Sequence, residues 1–185
     1  LVVGTGALIA GRTFFTTRTL VDDLTRDRFA EVTDQTVDKT RAYLARAIPV
    51  VELLDQLAKS GVVGTSDAQL ATTLLPVLRA HPGFAWVSYA DEAGRFVGAA
   101  RRPDGSVHLN QSKIVDGKTV LDEHEVAPDG TVRLGRHETD TGYDPRQRPF
   151  YQRAKESGKR AWTEPYVLFD SGVPGISCAL PVRGG

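Results

Sequence analysis

The sequence predicts an α+β fold: a long N-terminal helix followed by an antiparallel sheet. Three observations carry that expectation. Apolar residues recur at helical spacing from about Arg18 to Ala58. After Gly83 the chain changes to short β-rich runs separated by turn residues. One short helical segment between Pro149 and Gly158 interrupts those runs.

Residues 1–16 come first. Leu1 to Ala10 are apolar and small, and then Arg12 intervenes. That run is shorter than the about 20 residues needed to span a bilayer. It reads as a buried helix start or loose terminus, or as the outer end of a transmembrane or membrane-proximal segment. Methionine is absent even at position 1, as in a trimmed or partial chain. Residues 17–60 read as a stalk helix. Leu20 and Leu24 open its stripe, and Val37, Leu44, Val51 and Ala58 follow at spacing seven, with Ile48 and Leu54 on the same face. Pro49 removes a backbone donor, so a kink or break is expected near Ala45 to Pro49. The stripe either packs on its own domain or meets its copy in a homodimer.

Residues 61–185 form the remaining expected unit. Gly61 to Gly64 ends the stalk. Ser66 and Gln69 fit a capping box, and the helix they open runs to about Arg79, burying Leu70, Leu74, Val77 and Leu78. Strands are expected at Phe84–Tyr89, Arg95–Ala100, Val107–Ile114, Thr119–Val126 and Val132–Leu134. Turns at Asp91–Gly94, Pro103–Gly105, Asp116-Gly117 and Pro128–Gly130 separate them. Gly135 to Pro145 reads as polar loop, and Pro149 to Ser157 as a helix closed by Gly158. Trp162, Tyr166–Phe169 and Gly175–Val182 supply the last strands.

Apolar residues make up 41% and charged residues 25%, as in a globular domain, and the formal charge is zero. With no dense basic run, nucleic acid is not an expected partner. The lone Cys178 excludes an internal disulfide and a cysteine zinc cluster, and reads as a small core residue. In a strand, Asp122 and His124 share one face and Glu123 and Glu125 the other, which reads as a solvated edge and not a metal site. His81, His108 and His137 read as surface residues. Ser171 and Ser177 have no histidine and acid at nucleophile spacing, and no glycine-rich phosphate loop is present. No catalytic residue, metal or cofactor is expected.

One segment concentrates binding chemistry. Arg148 precedes Pro149, a residue suited to a helix's first position, so its guanidinium stands at a helix mouth beside backbone amides. Guanidinium holds a carboxylate through two parallel hydrogen bonds. Phe150 and Tyr151 are about 100° apart on the helix, so one walls a cleft while the other packs inward. Tyr166 adds a hydroxyl, and Trp162 and Asp170 bound the loop that closes the cleft. From spacing alone, Arg148 also fits an ion pair with Asp144 or Glu164.

The runs Tyr143-Asp-Pro-Arg-Gln-Arg-Pro-Phe-Tyr-Gln-Arg-Ala154, Ala161-Trp-Thr-Glu-Pro-Tyr166 and Gly175-Ile-Ser-Cys-Ala-Leu-Pro-Val182 resemble the extracytoplasmic Cache sensor domains of bacterial chemoreceptors, histidine kinases and nucleotide cyclases. The resemblance covers roughly Arg18 to Val182 and implies a PAS-like antiparallel sheet whose closing strand pairs in the middle; one lying beyond Gly185 leaves an open edge, making the sheet incomplete at its C-terminus. It implies a noncatalytic domain at the outer side of the inner membrane, anchored through its N-terminal segment and binding a small molecule. In the amino-acid-binding branch, an Arg-x-Trp-Tyr core is followed by a tyrosine and two acids. Arg148, Tyr151 and Tyr166 match that pattern. Phe150 stands in place of the tryptophan, and Leu168 in place of the first acid, with Asp170 two residues further on. The segment from Pro165 to Ile176 looks more like the branch attached to cyclases and sensor kinases. There the resemblance implies a small anionic, carboxylate-like ligand. The alternative is a Cache-like module that has lost its ligand and serves dimerisation.

Overall fold

The computed structural model describes residues 31–61 and 66–182. The expected membrane-proximal segment, the first part of the stalk helix and most of the Gly61–Gly64 break lie outside them. The chain divides into two units, Leu1–Arg46 and Ala47–Gly185. In the first, residues 31–45 form helix α1, where the Thr36 and Thr40 hydroxyls donate to carbonyls one turn back at 2.7 and 2.8 Å. Val32, Val37 and Tyr43 are exposed on it. A turn at Arg46 ends it, the Arg46 amide donating to the Tyr43 carbonyl at 3.3 Å. The second unit begins with α2 (Ala47–Lys59). The break expected near Ala45 to Pro49 thus falls at Arg46, and the stalk is two helices. Pro49, with no N–H for the Ala45 carbonyl, gives the physical reason.

Helix α3 (Asp67–Ala80) starts on a complete capping box. Ser66 Oγ accepts from the Gln69 amide and Gln69 Oε1 from the Ser66 amide, both at 3.3 Å. Five antiparallel strands follow: β1 (Trp86–Ala90), β2 (Phe96–Arg101), β3 (Val107–Val115), β4 (Lys118–Val126) and β5 (Val132–Thr139), side by side in sequence order. Asp116 and Gly117, with φ of 49° and 76°, turn β3 into β4; both positive angles suit a tight hairpin. Leu70, Ala71, Leu74 and Leu78 of α3 pack on Val87, Val97, Ala99, Leu109 and Val126 to form the core.

Successive residues of a strand face opposite ways. Val97 and Ala99 meet α3, so Phe96, Gly98 and Ala100 face away. Pairing places Ser112 opposite Phe96, Asn110 opposite Gly98 and Glu123 opposite Asn110. The sheet thus has a helix-covered apolar face and a second face mixing rings with polar groups.

Two expectations are corrected. Gly135–Thr139 is strand and not loop: β5 continues along β4 with a register shift at Glu123/His124. All its residues are exposed, so it lacks the inward alternation that marks a strand. The late strands are short and do not extend the meander. β6 (Ala161–Trp162) pairs with β9 (Cys178–Ala179), and β7 (Tyr166–Val167) with β8 (Pro174–Gly175). Between β5 and β6 come a 3-10 turn (Pro145–Gln147) and α4 (Pro149–Ser157), which Gly158 closes with φ of 59°. Among the described residues β1 pairs only with β2, and no helix is long and apolar enough to cross a membrane.

Candidate ligand-binding site

Arg148 ends the 3-10 turn and caps α4, with extended φ and ψ of −84° and 146°. The following proline forces that conformation and so aims the side chain. The guanidinium donates to the Val167 carbonyl at 2.6 Å and lies 5.7 Å from the Tyr166 ring and 5.8 Å from the Phe169 ring. Asp144, a candidate partner by spacing, is held instead by Arg146 at 3.0 and 2.9 Å, which keeps its carboxyl below the usual range. Among the described residues no carboxylate forms an ion pair with Arg148. One of its five N–H donors is used by Val167, leaving others for an anion. The helix mouth offers less than expected. Pro149 has no N–H, and the Tyr151 and Gln152 amides both donate to the Arg148 carbonyl at 3.1 Å, leaving at most the Phe150 amide.

From Arg148 a run of rings leads to the sheet. Phe169 lies 4.9 Å from Tyr143, Tyr143 lies 5.5 Å from Phe96, and Phe96 lies 6.3 Å from Phe150 and 6.0 Å from Trp86. Burial pushes the Tyr143 phenol well above its ordinary range. Phe150 is thus the inward ring. Tyr151 lies near Glu92, Asp91 and Arg146, and desolvation raises its phenol. The Tyr166 hydroxyl shares a 2.8 Å hydrogen bond with Ser177 Oγ. Trp162 pairs with Cys178 across β6–β9, and its carbonyl accepts from Arg153 Nε at 3.2 Å.

Asp170 is not a free acid. It reaches Arg102 at 3.3 Å and Arg136 at 3.4 Å, fixing the β7–β8 hairpin to the sheet. The same arginines hold Glu123 at 2.5 and 3.5 Å, with His108 Nδ1 3.6 Å from its other oxygen. The solvated-edge expectation therefore fails for Glu123, which is 8% exposed. It holds better on the other face, where Asp122 meets His137 at 2.5 Å, both side chains partly exposed. Among the described residues no cluster of His, Cys, Asp or Glu is placed to hold a metal.

An open groove of about 650 Å³ lies elsewhere, lined by Glu52, Leu53, Asp55, Gln56, Lys159, Arg160 and Leu180, none of them an expected ligand residue. Of the expected residues, Arg148 meets Tyr166; Phe150 joins the ring run through Phe96, Tyr151 lies beside Glu92 and Arg146, Trp162 pairs in β6–β9, and Asp170 is engaged. Phe96, Tyr143 and Phe169 belong to the ring run and were not singled out. The signal for Tyr143 and Phe169 was their place inside the motif runs. Comparison with known proteins returns no matching family model, no matching curated protein and no matching solved structure.

Proposed function

We propose that this chain is the extracytoplasmic, noncatalytic sensing part of a bacterial membrane receptor, resembling a Cache domain and binding a small carboxylate. The observation supporting it is Arg148: aimed by a proline, backed by two rings, and without a carboxylate partner among the described residues. A ligand carboxylate takes the remaining donors in parallel while its carbon skeleton lies on the rings. Binding tightens the β7–β8 hairpin. That shift passes through β6–β9 to α2, which packs on β9. A coupling of about 1–3 kcal/mol changes output five- to 150-fold. Calorimetry with acetate, lactate and succinate tests this on wild type and Arg148→Ala, with circular dichroism as the folding control. At least one acid binds wild type and loses about tenfold or more in affinity with the variant; equal binding by both rejects the role of Arg148.

A second reading is a ligand-free dimerisation module, favoured by the exposed Val32, Val37 and Tyr43 of α1. Sedimentation dimers abolished by Val37→Glu, together with no stabilising ligand in a thermal-shift screen, support it over the first.

A further inference from the structure

Asn110 and Ser112 lie in the middle of β3, 3% and 4% exposed, yet neither amide atom of Asn110 nor Ser112 Oγ has a hydrogen-bond partner. Proteins rarely leave such groups unpaired, because removing them from water costs free energy that only a partner returns. Leu109, just before Asn110, is in the α3 core, so Asn110 and Ser112, one and three residues further on, point to the opposite face. Rings occupy that face beside them. A Cβ on Gly98, opposite Asn110, would come within 2.9 Å of two Phe96 ring atoms and 3.0 Å of Trp86. On the other side of Asn110, Glu123 is compensated by Arg102 and Arg136, which also meet Asp170 of the hairpin. Two carboxylates face two guanidiniums there, so the surroundings select no charge. An amide and a hydroxyl, each able to donate and accept, lie between rings and a balanced network. Leucine and valine would fill a merely structural position with less penalty.

We propose that Asn110 and Ser112 are the inner half of the ligand site and bind an uncharged hydrogen-bonding group, an amide or a hydroxyl, of the molecule whose carboxylate meets Arg148. This rests on the sensing reading and narrows its ligand to an ω-hydroxy or ω-carboxamide acid. Asp170, paired with Arg102 and Arg136, ties the hairpin across this group and holds it down over bound ligand.

The test is calorimetry with four-, five- and six-carbon monocarboxylates ending in methyl, hydroxyl or carboxamide. For at least one length, wild type binds the hydroxyl- or carboxamide-ended acid roughly two- to tenfold tighter than the methyl-ended acid, the range of one neutral hydrogen bond. Asn110→Leu and Ser112→Ala each reduce that preference and keep the Arg148-dependent binding of the methyl-ended acid. Without ligand, both variants melt at or above the wild-type temperature, because each removes an unpaired polar group. A large fall in melting temperature for both means that the side chains are already satisfied inside the fold, and overturns the proposal. Acids that bind through Arg148 with no end-group preference overturn it while leaving the sensing reading intact. If no acid binds wild type, both fall together.

Discussion

Replacing Gly98 with alanine drives a methyl group into the rings behind the site. The new carbon would lie 2.8 Å from Phe96 Cζ, 2.9 Å from Cε1 and 3.0 Å from Trp86 Cζ3. Relaxed carbon contacts are about 3.5–4.0 Å, so the rings must retreat by roughly 0.5–1 Å. Phe96 has little room, because Tyr143 and Phe150 stand 5.5 and 6.3 Å from it, centre to centre. Overpacking of this kind costs about 1–3 kcal/mol, and the stiffer unfolded chain returns about 0.4–1 kcal/mol. The net loss is about 1.3 kcal/mol at the middle of both ranges. Urea denaturation measures it, and near-ultraviolet circular dichroism should weaken as the rings lose their fixed packing. Gly135→Ala is the control: its methyl meets Glu125 Cγ, part of a flexible side chain, at 3.3 Å, and should cost less than about 0.5 kcal/mol. A Gly98→Ala protein as stable as wild type, or no weaker than Gly135→Ala, would refute the placement of the rings over β2.

Other measurements probe the frame. Leu78 is 0% exposed beneath the sheet, so Leu78→Ala should cost about 2–5 kcal/mol in the same assay; a loss below 1 kcal/mol contradicts the α3 core. Burial keeps the Tyr143 phenol protonated in the folded state beyond the pH at which it ionises when unfolded. Its stabilisation is full below about pH 10 and declines above it, where the unfolded state binds fewer protons. Urea melts at about pH 9 and pH 11 should show a steeper fall for wild type than for Tyr143→Phe; equal slopes would place the phenol in water. In hydrogen exchange, β3, flanked on both sides, should protect its amides longer than the outward-facing amides of β1, and equal protection would mean that β1 has a partner strand.

Local chemistry was legible in the sequence where a few neighbouring residues determine the outcome. Ser66 and Gln69 cap α3, Asp116-Gly117 turns a hairpin, and Pro149 and Gly158 bracket α4, because each depends on its own side chain or φ preference. What depended on distant partners was hidden. β5 has no buried residue, so beyond Val132–Leu134 nothing in its composition separates it from loop; only pairing with β4 makes Gly135–Thr139 a strand. β3 alternates weakly because both of its faces are covered, Leu109 by α3 and Asn110 and Ser112 from the other side. Its polar residues read as a wet face for that reason. Asp170 reads as a ligand group in the sequence because its two arginines lie on β5 and just after β2, far away in the chain. Arg148 was found because its neighbours announce it, whereas the exclusion of Asp144 required seeing Arg146 take that carboxylate first.

The account stands on Arg148 as the group that meets an anion. Nitrogen-15 NMR of the arginine side chains during titration with succinate or a preferred acid observes it directly. The Arg148 Nε–H signal, assigned by its loss in Arg148→Lys, should move with saturation, while that of Arg146, already held by Asp144, stays in place. A ligand that binds without shifting Arg148, or shifts only Arg146, contradicts the account.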